Sequence, residues 1–394
     1  MKIVYLNYLY DMKESSVGAS VHVKELEKAL QECGHKVQAS YLNRFTSVEA
    51  SVKSRARGFL KKKLWRYLNQ INSVAANGRY FIKEWKIITK ERPDVVLVRY
   101  HFLHFSLALV CLFRGIPFVL EVNAPMAYES RRFADHAVRL PLLPEIFEKF
   151  NLMLAEKVIV VSEELKSFYV KWHVPASKIE VVPNGVDVKK FHPAVSPQKI
   201  RSMYHLNGKT VLGFIGSFHY WHGVKYLVGF IKKTLSRYQD AAFLLVGPGP
   251  LKEELEGLLE EEKIINSVFF TGYVSHEEIP LYLAAMDIVL APYPKLDLFY
   301  YSPLKLFEYM AAGKAIVASR IGQIEKLLTD RYDSILFEPD CVDELFNKSF
   351  ELIEDSALRK ALGIRARETV LRKYTWSHTG KRISDTLKGV VDNK

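Results

Sequence analysis

Twelve short runs of apolar, largely β-branched residues, each separated from the next by a longer segment, constrain this chain most. The first six are Ile3–Leu6, Val37–Ser40, Val95–Val98, Phe118–Val122, Val158–Val161 and Ile179–Val182. The second six are Val211–Ile215, Phe243–Val246, Val268–Thr271, Ile288–Ala291, Ala315–Ala318 and Ile335–Phe337. Alternation of such runs with helical segments is the βαβ rhythm of parallel sheets. The prolines of Phe191-His-Pro-Ala-Val-Ser-Pro197 read as a linker between the two sets. At 394 residues the chain exceeds one ordinary core. The expectation is an α/β protein of two doubly wound domains, 1–192 and 193–375, with the segment from Trp376 packing on either one.

Charge narrows the possible partners. Residues 1–195 hold 30 Lys and Arg against 19 Asp and Glu, whereas 196–394 hold 26 against 25. No acidic residue lies between Glu49 and Glu84, where Lys53, Arg55, Arg57, Lys61, Lys62, Lys63, Arg66, Arg79 and Lys83 fall. Leu60, Leu64, Leu68 and Ile71 recur among these cations at helical spacing, so Lys53–Ile71 reads as a basic amphipathic segment for an anionic membrane surface. Aromatics Phe59, Trp65 and Tyr67 also fall there, but no nucleic-acid recognition module accompanies them, and no nucleic-acid partner is expected. The apolar start is too short for a signal peptide, and Phe102–Phe113 is too short to span a bilayer, so the expected location is cytoplasmic, peripheral on the inner face of the membrane. Cys33, Cys111 and Cys341 lie far apart, no His-Glu-x-x-His occurs, and His101 and His104 read as packed or capping residues; no metal site is expected.

Doubly wound sheets bind ligands beyond the C-terminal ends of their strands. Glycines punctuate several of those ends: Val17-Gly-Ala-Ser20, Gly216-Ser-Phe-His-Tyr-Trp-His-Gly223, Gly247-Pro-Gly-Pro250 and Gly272-Tyr-Val274. Neither half carries a Walker-type Gly-Lys-Ser/Thr or a convincing Gly-x-Gly-x-x-Gly after its first strand, which argues against an ATPase or a dehydrogenase. The stretch Ser302-Pro-Leu-Lys-Leu-Phe-Glu-Tyr-Met-Ala-Ala-Gly313 reads as a helix start suited to a phosphate, with Ser302 as its cap and Pro303 in its first position. Lys305 and Glu308, three residues apart on one helical face, suit a phosphate and a neutral diol respectively, which together make a nucleotide sugar.

With Gly34-His35-Lys-Val37, Val182-Pro-Asn-Gly-Val-Asp187, Gly247-Pro-Gly249, Thr271-Gly-Tyr-Val274 and Phe307-Glu-Tyr-Met-Ala-Ala-Gly313, the chain resembles glycosyltransferase family 4 over nearly its whole length. The resemblance implies the GT-B fold: two Rossmann-like domains facing across a cleft, with the final helix, 376–394, crossing back to the first. It implies a retaining, metal-independent transfer, without cofactor, from a UDP-, GDP- or ADP-linked sugar to a glycan or lipid-linked acceptor in surface polysaccharide or glycoconjugate synthesis. The first domain would bind the acceptor and the second the donor.

By the same resemblance Glu308 would bind the ribose hydroxyls, Gly18 and Gly247 would let backbone approach the donor, and Val274 would lie at the nucleobase. The amides around Tyr301, Ser302, Pro303 and Leu304 would cradle the diphosphate. The chain departs from the family pattern at five positions, the first being Val17, which takes the place of one of two adjacent glycines. Tyr300 stands for the first motif glutamate, Ser217 and His222 for a phosphate-binding Arg and Lys, and Asn123 for a histidine near the transferred sugar. Lys305 is then expected to restore the missing positive charge, His222 to share it by donating a hydrogen bond, and Asn123, Lys305 and Glu308 to carry the transfer. The alternatives are an inactive, binding-only member of the family and an enzyme acting on a soluble small acceptor.

Overall fold

A computed structural model describes residues 1–8, 17–42, 59–132, 140 and 142–393, with backbone alone at 17 and 59–67. All twelve runs form strands, their ends shifted by at most two residues: β1 Lys2–Asn7, β2 Lys36–Tyr41, β3 Val95–Arg99, β4 Phe118–Val122, β5 Lys157–Val160, β6 Ile179–Val181, β7 Thr210–Ile215, β8 Ala241–Val246, β9 Val268–Phe270, β10 Ile288–Ala291, β11 Ala315–Ser319 and β12 Ile335–Phe337. They make two six-stranded sheets, both parallel throughout. The chain divides into two compact units, 1–183 with 376–394, and 184–375.

In the first unit the strand order is β2-β1-β3-β4-β5-β6. Ile3, Tyr5, Val95, Leu97, Val119 and Ile159 line one sheet face and bury Val23, Leu26 and Leu30 of the Val17–Glu32 helix together with Ile383, Leu387 and Val390 of the Trp376–Asp392 helix. Those two helices touch closely, since a Cβ on Gly380 would lie 2.6 Å from that of Ala29. His35 adds a 2.7 Å hydrogen bond with Ser384. The Val17–Glu32 helix ends at Gly34, whose φ of 83° suits glycine.

The second unit has the order β12-β11-β10-β7-β8-β9, with chain direction through the sheet reversing between β7 and β10. That reversal is where doubly wound folds bind ligands. The Leu304–Ala311 helix covers one face through Leu306, Phe307 and Met310, and Leu227, Phe230 and Leu345 cover the other. Burial on both faces explains why these strands read as continuous apolar runs rather than alternating ones.

The division falls at 183/184 rather than the expected 192/193, and the prolines that read as a linker lie inside the second unit. Asn184 bonds Ser302, Val186 N–H donates to the Tyr374 carbonyl at 3.1 Å, and Phe191 is buried in the second core. Arg367 also donates to the carbonyls of Val188 and Phe191. A proline-rich stretch marks a change of direction, not the loss of contacts that defines a boundary.

Candidate functional site

The helix Leu304–Ala311 is held against the end of β7 by Tyr309, whose hydroxyl oxygen accepts the Ile215 N–H at 2.9 Å. Glycines make that approach possible. A Cβ on Gly216, at φ 148°, would stand 2.5 Å from Lys305 Nζ, and one on Gly247, at φ 134°, would stand 2.1 Å from the Gly216 carbonyl oxygen. The loops after β7 and β8 therefore close on each other and on Lys305 with no room for side chains.

Lys305 Nζ is buried and has no hydrogen-bond partner among the described residues. It lies 4.2 Å from the centre of the Phe214 ring and 5.4 Å from that of Tyr293. Burial pushes its pKa down to about 7, with the Glu308 carboxylate opposing the shift. A buried ammonium beside ring faces, with no hydrogen-bond partner among the described residues, is poised for an anion.

Glu308 keeps 8% of its surface open. Its Oε1 lies 2.8 Å from His276 Nε2, and His276 Nδ1 lies 2.9 Å from Lys190 Nζ, which in turn reaches Glu277 at 2.9 Å. Neither His276 nor Lys190 was expected from the sequence. They stand 32 and 118 positions from Glu308 in patterns that resemble no motif, so only the fold reveals them.

Three expectations need correction. Ser302 does not cap the helix: its hydroxyl accepts the Asn184 N–H at 3.1 Å and its carbonyl accepts Asn184 Nδ2 at 2.7 Å. Pro303, in extended backbone, is instead the residue before the first helical one, Leu304, and its side chain makes no cap hydrogen bond. His222 does not supply a cation. Burial, then Lys305, holds its pKa well below the usual histidine range, and its Nδ1–H donates to the Ser217 carbonyl at 2.7 Å. The neutral ring has spent its one N–H there and has none for a phosphate.

Tyr300 is 1% exposed and packs against Tyr301 with ring centres 4.2 Å apart, so it fills space where the family pattern has a carboxylate. Val274 is half-buried against the second core, after the turn at Gly272, whose carbonyl accepts the Gly247 N–H at 3.0 Å. Ser217, His222, Gly247, Val274, Tyr300–Leu304, Lys305 and Glu308 thus all belong to the second unit, around the ends of β7, β8 and β9 and the Leu304–Ala311 helix.

Gly18 and Asn123 belong to the first unit. Gly18 is exposed in the first turn of the Val17–Glu32 helix. Asn123 follows β4 and donates from Nδ2 to Glu121 Oε1. Glu121 is 1% exposed and also accepts from the Tyr5 hydroxyl at 2.6 Å, with His22 Nε2 at 2.8 Å and Arg99 Nη1 at 3.4 Å. Burial alone would raise its pKa, but His22, Arg99 and the Tyr5 hydroxyl hold it well below the usual carboxylate range. A fixed anion thus orients the Asn123 amide.

His101 and His104 are packed histidines. His104 Nε2 lies 2.8 Å from Glu84, and burial, then His104, takes His101 down to about 4. Of the basic segment, Lys53, Arg55 and Arg57 lie outside the described residues, and Lys61, Lys62, Lys63 and Arg66 lie on the backbone of the Phe59–Glu91 helix. Further along that helix Leu68 and Ile71 are 49% and 52% exposed. No helix among the described residues is long and apolar enough to cross a membrane.

Residues 17–190 match Glycosyltransferase Family 4, and residues 209–355 match Glycosyl transferases group 1. A GDP-mannose-dependent alpha-(1-6)-phosphatidylinositol monomannoside mannosyltransferase of Mycobacterium tuberculosis is 25% identical over 59% of this chain and 61% of that protein. A UDP-Gal:alpha-D-GlcNAc-diphosphoundecaprenol alpha-1,3-galactosyltransferase of Escherichia coli is 22% identical over 82% of each. Several of the curated relatives are matched over only about three fifths of their own length. Among solved structures, Anabaena HepE in complex with UDP superimposes with a TM-score of 0.75 at 17% identity, over 99% of this chain and 100% of that one. With both halves matched in chain order on a shared fold, this chain belongs to glycosyltransferase family 4, the group 1 glycosyltransferases of the GT-B fold.

Proposed function

We propose that the protein is a retaining glycosyltransferase that moves a sugar from a nucleotide-sugar donor to a lipid-linked or glycan acceptor, in surface polysaccharide or glycoconjugate synthesis. The observation that carries this reading is the buried, unpartnered Lys305 ammonium beside glycine-tight loops at the sheet's reversal point, one helical turn from a carboxylate with an open edge. Breaking a glycosyl–phosphate bond leaves negative charge on the diphosphate. Lys305 would meet that charge, and the first turn at Leu304 would add its amides. Glu308 would accept from the ribose. In a retaining transfer the departing phosphate oxygen takes the acceptor's proton on the same face. The protein then needs no carboxylate nucleophile, and Asn123, which accepts and donates but carries no proton, suffices to hold a sugar hydroxyl. No metal is required in this scheme, since the cation is Lys305.

The nucleotide is supported by HepE, solved with UDP, and the lipid-linked acceptor by the two relatives, whose names specify phosphatidylinositol monomannoside and a diphosphoundecaprenol-linked sugar. Peripheral contact with the inner face of an anionic membrane through Lys53–Ile71 accords with the exposed Leu68 and Ile71. A panel of UDP-, GDP- and ADP-sugars, assayed for nucleotide release with and without lipid-linked acceptors, tests the whole reading. Acceptor-dependent release of one nucleotide is expected. No release from any donor, with no binding of UDP, GDP or ADP, would overturn it.

A further inference from the structure

The contact between His276 and Glu308 has a direction that the third member of the chain, Lys190, decides. An ammonium has hydrogens to donate and no lone pair, so at 2.9 Å it makes His276 Nδ1 the acceptor. The imidazole proton then sits on Nε2 and donates to Glu308 Oε1 at 2.8 Å. Lys190 is itself fixed. Its side chain pairs with Glu277, its backbone N–H donates to Asp187 Oδ1 at 3.1 Å, and the next residue, Phe191, is anchored in the core with its ring 5.5 Å from that of His276. Among the described residues no hydrogen bond reaches Glu308 Oε2.

We infer that Lys190 and His276 are positioning residues that pin Glu308 by one carboxylate oxygen and present the other, so that recognition of the donor's ribose runs through the single oxygen Oε2. The inference rests on the reading of Glu308 as the ribose-binding residue and adds what orients it. A carboxylate free to turn would share two vicinal hydroxyls between its oxygens. One with Oε1 already accepting from a fixed N–H puts most of its interaction on one hydroxyl. The site should therefore reject one deoxyribose isomer strongly and the other weakly.

Titration of UDP, GDP and their 2′-deoxy and 3′-deoxy counterparts into the whole chain tests this, read as the ratio of deoxy to ribo Kd. In the wild type one isomer is expected to bind about tenfold more weakly than its parent, the scale of a hydrogen bond to a charged group. His276→Phe keeps a ring without the N–H and should even out the rejection of the two isomers, since the released carboxylate can share both hydroxyls, whereas Glu308→Ala should lose rejection of both. His276→Gln, which can donate from its amide, should retain most of the discrimination, and Lys190→Met should lie between. Because the ratio compares ligands on one preparation, a general folding defect moves both Kd values and leaves it unchanged. Wild-type discrimination in His276→Phe, equal rejection of both isomers by the wild type, or proportional loss for ribo and deoxy ligands would overturn the positioning role, provided Glu308→Ala has weakened nucleotide binding. Unaltered nucleotide binding by Glu308→Ala would instead overturn the ribose-site assignment and the inference with it.

Discussion

Two glutamates at the ends of the two sheets are used in opposite ways. Glu121, in the first unit, is closed off with Tyr5, His22, Arg99 and Asn123 around it, while Glu308, in the second, has one hydrogen-bond partner among the described residues and an open edge. A buried carboxylate whose partners are all protein is a structural anion: its bonds are already made, and a ligand has nothing to add. A carboxylate left half-satisfied beside an unpartnered lysine is incomplete until something binds. The contrast separates stability from function within one chain, and each side can be tested.

The largest effect should come from Glu121. Glu121→Ala leaves Arg99 and His22 facing an empty buried place and should cost about 3–5 kcal/mol of stability, read by denaturant unfolding. Glu308→Ala should leave unfolding nearly unchanged while losing about 1.5–3 kcal/mol of transition-state binding in kcat/KM. If the two variants exchanged these signatures, the division between structural and functional carboxylate would fail.

Lys305 offers the next test. Lys305→Met keeps the apolar stem among Phe214 and Tyr293 and removes a buried charge, so stability should hold or rise, while affinity for a nucleoside diphosphate drops by about 2 kcal/mol and affinity for the nucleoside hardly changes. Equal loss for both ligands would mark a packing defect. The same residue predicts a pH dependence. With its pKa near 7 in the free protein, Lys305 is largely neutral at pH 8, and a bound diphosphate favours the protonated form. Calorimetry in buffers of different ionisation enthalpy should show proton uptake on binding at pH 8, and affinity should fall as pH rises through 7. On the stability side the sign is opposite. Between about 7 and the ordinary 10.5 the unfolded chain binds the extra proton, so this group makes the fold more stable as pH rises, a slope that Lys305→Met should remove.

The smallest effect per residue belongs to the basic segment. Changing Lys61, Lys62 and Lys63 to Glu should abolish salt-sensitive co-sedimentation with anionic vesicles, each lysine contributing about 1 kcal/mol near the membrane surface, and leave nucleotide binding unaltered. Equal sedimentation of both proteins would remove the membrane from the account without touching the second unit.

Most strands were legible because a sheet buried on both faces needs apolar residues in nearly every position, a demand local enough to see in five consecutive letters, while the edge strands β2 and β6, with exposed polar residues, showed mainly through their place in the alternation. A residue's role is hidden from the sequence where it depends on a distant partner. Ser302 has the chemistry of a helix cap, but Asn184, 118 positions away, takes its hydroxyl. Prolines 193 and 197 look like a linker, but Arg367 and the core around Phe191 hold that stretch in the second unit. His222 has the chemistry of a phosphate ligand, but its Nδ1–H is donated to the Ser217 carbonyl, and burial disfavours a second proton on the ring.

Sequence alone determined the two parallel sheets, the glycines at their strand ends, and Lys305 and Glu308 on one helix, because backbone periodicity, steric tolerance and helical spacing act over a few residues. Only the tertiary structure decided which charges are spent and which are open. Burial and hydrogen bonding set protonation and orientation, and the groups that supply them, His276 for Glu308, the rings for Lys305, and Tyr5, His22 and Arg99 for Glu121, are brought together by strand order rather than by neighbourhood in the chain.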